Sequence, residues 1–182
     1  MMRLVWCGAV LLSAAACIVP APTSEKQPDR QKAAAAAAPP VEVRNGANFE
    51  DKVELVGATL APGRVAPGEA LRVTAFFKVL DALPDDYMIF VHVEDVDGRV
   101  DRLNADHSPV QGSYPTSKWK KGETVKDEFT IYVPPGMAVR GLNLLIGFWD
   151  PKTDARLKLK NVDAVRHDNN NRILLAQVPV AG

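Results

Sequence analysis

Residues 106–108 read Asp-His-Ser, the three side-chain types of a hydrolase triad. Three sequential neighbours cannot set a nucleophile, a base and an orienting carboxylate in one hydrogen-bonded row, so catalysis is not expected here. Asp106 and His107 are expected instead to bond loop backbone, whose amides need partners. Glu94, Asp95, Asp97 and Asp101 crowd one turn and raise the question of calcium, which takes roughly six to eight oxygens. An EF-hand-like loop needs alternate carboxylates and a terminal bidentate Glu, and that spacing is missing, so a solvated turn is the expectation. Asp150 and Asp154 in "DPKTD" read as an Asx-type turn. His92, His107 and His167 lie far apart with no His-x-His spacing, and the chain has no cysteine beyond residue 17. Neither a metal site nor a cofactor is therefore expected. His92, placed among apolar neighbours in "YMIFVHVEDV", reads as a core histidine bonded through one ring nitrogen.

Three aromatics complete the candidates. Tyr114, Trp119 and Trp149 could offer flat faces to sugar rings, with Asp106 and His107 as nearby polar groups. The competing reading makes Trp119 a plug at one end of the fold and Tyr114 a pin for a crossing loop. Burying such rings removes ~150 to 250 Å² each from water, which suits a domain without disulfides. The structural reading is preferred for the stretch "HSPVQGSYPTSKWKKGETVKDEF".

The elements that must position these residues begin with the N-terminus. Residues 1–17, "MMRLVWCGAVLLSAAAC", carry one cation, an apolar run and small residues before Cys17. That is the plan of an export signal, and its apolar run is short for a hydrocarbon core of ~30 Å. "SAAAC" resembles the lipobox of bacterial lipoproteins, with Ala14 standing where Leu is usual. The resemblance implies diacylation of Cys17 and a lipid-anchored position in the bacterial cell envelope, since several acyl chains give stable anchoring.

Residues 18–50 hold five prolines and six consecutive alanines before Asn48 and almost no bulky apolar side chains. They read as a disordered tether. Of 22 basic residues, Arg3 lies in the signal, leaving 21 against 22 acidic ones and no basic block. Nucleic-acid binding is thereby disfavoured, because phosphate recognition needs a cationic patch.

From residue 51 to 182 the apolar pattern has period two. Leu71, Val73, Ala75, Phe77 and Val79 alternate with polar residues, as on a strand with one buried face. In "YMIFVHVEDV" both faces are apolar, which predicts a central strand covered on both sides. Asp97-Gly98 predicts a hairpin turn. "KVELVGATL", "VKDEFTIYV", "LNLLIGFW", "ARLKLK" and "RILLAQV" complete the series, separated by Pro/Gly turns. No helical stripe occurs. About eight strands indicate an all-β, two-sheet antiparallel sandwich, immunoglobulin-like or jelly-roll.

The series "DYMIFVHVEDVDGRV", "NADHSPVQGSYPTSKWKKGETVKDEFTIYVPPG" and "LNLLIGFWDPKTDARL" resembles a β-sandwich module found as the soluble C-terminal appendage of bacterial membrane glycosyltransferase-like proteins and in envelope proteins. The resemblance covers about residues 65–160. It implies the fold and no activity. The expectation is a non-catalytic envelope lipoprotein that binds or assembles. Its partners would be the membrane, through lipid, and a glycan or an envelope protein. Exposed aromatics would favour the glycan, whereas buried aromatics with an open strand edge would favour a protein partner.

Overall fold

The computed structural model describes residues 40–182. The expected export signal, Cys17 and most of the expected tether lie outside the described residues. The strands are β1 (Val43–Phe49), β2 (Val53–Ala61), β3 (Ala70–Val79), β4 (Met88–Asp95), β5 (Leu103–Asn104), β6 (Thr124–Tyr132), β7 (Gly141–Trp149) and β8 (Ile173–Pro179). They form two four-stranded sheets, β1-β2-β3-β6 and β5-β4-β7-β8, with every pairing antiparallel. This is the two-sheet β-sandwich.

Inward residues of both sheets make the core. Leu55, Leu71, Phe77, Leu142, Leu144, Ile146 and Phe148 are fully buried between them. Phe49 and Phe77 both meet Phe148 edge-on, at 5.3 and 5.1 Å between ring centres. β4 is central in its sheet, and its outer face is also covered: Phe90 lies under the Arg156 guanidinium at 4.7 Å. That second covering explains why the run carries apolar residues at both parities.

Three expectations are corrected. The folded domain starts at Val43, within the expected tether, because "VRNGANF" forms β1. Its signal is weak since only Ala47 and Phe49 are buried, and a bulge between Arg44 and Ala47 breaks the alternation. β1 runs so close to β2 that a side chain on Gly57, which sits at φ +154°, would collide with the Val43 carbonyl. "ARLKLK" is no strand of either sheet; it makes single bridges, Trp149 to Arg156 and Phe49 to Leu159. The Asp97-Gly98 turn opens a wider connection, residues 96–102, before the two-residue β5. Gly98 still supplies the positive φ, +65°.

Candidate functional site

The chain leaves the second sheet after β5 and reaches β6 of the first through residues 105–123. This crossing segment begins as an edge strand: Ala105 N–H donates to Val91 O, and His107 exchanges backbone bonds with Ile89. A short 3₁₀ turn follows, Pro109–Gly112, in which Val110 and Gln111 sit at φ 52° and 55°. A second, Thr116–Lys118, ends at Trp119.

The second half of the segment is nailed to the fold. Thr116 is fully buried, receives the Tyr87 N–H at 2.8 Å and donates its hydroxyl to Asp85 O at 2.6 Å. Trp119 is 4% exposed, stacked on Phe77 at 6.0 Å and edge-on to Phe148 at 6.1 Å. Its indole N–H donates to Tyr114 O at 3.0 Å. Tyr114 shares its hydroxyl proton between Lys118 O and Glu123 Oε1, at 2.9 and 2.8 Å. Desolvation, then the Glu123 carboxylate, pushes its pKa up to about 12. Trp119 and Tyr114 therefore act as plug and pin. With its rings packed against Phe77 and Phe148, Trp119 has no face left for a sugar. Trp149 is half-buried at the end of β7, and its N–H has no acceptor among the described residues.

The triad-like residues point apart. Asp106 accepts the Val91 N–H at 2.8 Å, and the Ser108 hydroxyl donates to the Met88 sulfur. His107 Nε2 reaches neither; it lies 2.7 Å from Asp127 Oδ2, while Nδ1 lies 2.8 Å from Ala105 O. Asp127 is 0% exposed, and its other oxygen accepts the Val110 N–H at 2.6 Å. The three histidines stay separate. His92 is buried and receives Arg102 and Arg172 at Nδ1, 3.4 and 3.2 Å away. Burial, and then Arg102, lowers its pKa, so it rests neutral. His167 Nδ1 meets Asp168 O.

The acidic turn is solvated at Asp97 and Asp101, as expected, but not at Asp95. Asp95 is buried, and its carboxylate accepts the Asp97 and Arg99 N–H groups at 3.1 and 2.9 Å. Burial opposes its charge, yet these amides keep its pKa below the usual range. Asp150 forms the Asx-type turn, accepting from the Lys152 N–H and the Thr153 hydroxyl.

One groove gathers part of this chemistry. It measures about 740 Å³ and is framed by the outer side of β2, β3 and β6 and by the crossing segment. Pairing aligns Thr59, Thr74 and Glu128 in one row and Ala61, Arg72 and Thr130 in the next. Asp106, His107, Gln111 and the half-buried Phe129 ring complete the wall. Glu128 is held by Lys126 at 2.8 Å and by Thr74. The exposed Arg72 guanidinium has no partner among the described residues. Of the residues singled out in the sequence, Asp106 and His107 line this groove; Tyr114, Trp119 and Trp149 do not. Arg72, Thr74, Asp127 and Thr130 are not among the site candidates read from the sequence. The signal for Asp127 was present: a carboxylate at an inward position of β6, between Val125 and Phe129.

No protein-family model matches the chain, and no curated protein matches it in sequence. Among solved structures it is similar to the C-terminal domain of wzt, known from a crystal structure. The identity is 12% and the TM-score 0.48, over 78% of this chain and 82% of that one. Ligand and site rest on the geometry above.

Proposed function

We propose that this protein is a non-catalytic binding module of the bacterial cell envelope, tethered through lipid on Cys17, whose groove holds a hydroxyl-rich ligand such as a glycan. One observation carries the reading: a groove of about 740 Å³ that sets the Thr59, Thr74 and Thr130 hydroxyls and Arg72 beside the Phe129 ring. Its size falls within the range of ~300 to 1,000 Å³ found for small-ligand sites. Hydroxyls and a guanidinium match sugar oxygens, and a ring edge offers cover to sugar C–H groups. The loop aromatics named from the sequence are not the platform.

The test is a panel of envelope oligosaccharides titrated into the ¹⁵N-labelled full-length chain. Amide shifts should concentrate at Thr59, Arg72, Thr74 and Thr130. Arg72→Ala should weaken binding about tenfold or more with little change in melting temperature, since hydrogen bonds to a charged group contribute ~1.5 to 3 kcal/mol. Shifts on another face, or equal affinity in Arg72→Ala, would sink the reading.

A second reading has its own observation. β6 is an edge strand of nine residues with an unshifted register to β3, and Lys126, Thr130 and Tyr132 are exposed along it. Such an edge accepts an added strand from a protein partner. Thr130→Pro, which bars an added strand, would abolish partner capture under that reading, whereas Arg72→Ala would leave it intact.

Anchoring has a separate check. Cys17→Ser should shift the protein from the membrane fraction to the soluble fraction or leave an uncleaved precursor. Unchanged membrane association excludes the lipid anchor.

A further inference from the structure

Asp127 is a residue that the alternation of β6 does not explain. An inward position between Val125 and Phe129 asks for an apolar side chain, and burying a carboxylate there is costly unless every oxygen finds a donor. Both oxygens do: one takes the His107 imidazole and the other the Val110 amide. The second bond holds a β-branched residue at φ 52°, followed by Gln111 at 55°. Side chains other than glycine adopt that region rarely, and they stay there only when neighbours impose it. His107, bonded to Asp127, and Gln111, the neighbour of Val110, line one wall of the groove.

The imidazole faces an acceptor on each side, Asp127 Oδ2 at 2.7 Å and Ala105 O at 2.8 Å. Only the doubly protonated ring donates to both. We infer that the groove wall formed by residues 105–112 is latched by the proton on His107, keeping its shape while the ring is an imidazolium and loosening when the ring is neutral. Asp127 and His107 are thus positioning residues for the groove. The consequence for ligand binding rests on the groove reading above; the latch itself does not.

The charged groups around the ring are few. Asp127 faces it from β6, Asp106 adjoins it, and Arg72 of β3 and Glu128 of β6 line the same groove. On the β4 side it meets the Ile89 backbone, and the Phe129 ring lies 4.8 Å away. Desolvation pulls the His107 pKa down, but the Asp127 hydrogen bond and charge outweigh it and the net direction is up. A raised pKa means that the latch is complete below the ordinary histidine value of ~6.5 and is lost as pH rises through the folded value.

The experiment needs no ligand. In the full-length chain, the His107 ring nitrogens are observed by NMR, and hydrogen-exchange protection factors are measured at the Val110 and Gln111 amides. Both are read about one pH unit below and about two units above ~6.5. On the acid side both ring nitrogens should carry protons; on the alkaline side Val110 protection should fall by about tenfold or more. In His107→Gln the protection should not change between the two conditions. A singly protonated ring on the acid side, equal wild-type protection on both sides, or a pH response that survives in His107→Gln would overturn the latch. Asp127→Asn keeps an acceptor for Val110 and removes the charge, so the His107 titration should move down; an unmoved titration also overturns it. An intact latch with no saccharide binding would count against the groove reading alone.

Discussion

Trp119→Ala is expected to destabilise the protein by about 3 to 5 kcal/mol, the range for truncating a large aromatic in a packed core. The indole is 4% exposed and lies against Phe77 and Phe148, so its removal leaves a hole that rigid strands on both sides cannot close. It also removes the bond to Tyr114 O, which then lacks its donor within the crossing loop. Equilibrium denaturation measures the change directly. A loss under about 0.5 kcal/mol is what an exposed position gives, and it would contradict the plug. The groove lies apart from Trp119, so ligand binding by the folded variant should be little changed.

Asp127→Ala is expected to cost a similar amount, about 3 to 5 kcal/mol, because breaking a buried pair strands the partner that remains. Here two donors are stranded, the His107 ring and the Val110 amide. The pH dependence separates this from a simple cavity. The His107 pKa is raised in the fold, so the pair's contribution is full below ~6.5 and fades as pH rises through the raised value. The gap between wild type and Asp127→Ala should accordingly be larger in mildly acidic buffer than in alkaline buffer. Denaturation curves at both pH values check it, and a gap of the same size in each would reject a charged pair.

Period-two alternation in "EALRVTAFFKVLD", "VKDEFTIYV" and "LNLLIGFW" was enough to place β3, β6 and β7, because every second side chain of a strand faces the same way. The apolar residues at both parities of "YMIFVHVEDV" likewise identified a strand covered on two faces, as β4 is. The Asx-type turn at Asp150 was legible from local chemistry alone. β1 was not, since its bulge scrambles the alternation and its place depends on the backbone of β2. "ARLKLK" alternates well and still joins neither sheet, because alternation records which face is buried and leaves pairing to the neighbours available. The site was decided almost wholly by tertiary structure. Arg72, Thr74 and Thr130 meet only when β3 and β6 pair in register. His107 and Asp127, twenty residues apart, meet because the segment after β5 runs along β4 and then crosses to the other sheet. Sequence spacing cannot encode such a contact: it depends on which edge the crossing loop spans, and that is set by how two twisted sheets bury their apolar faces against each other.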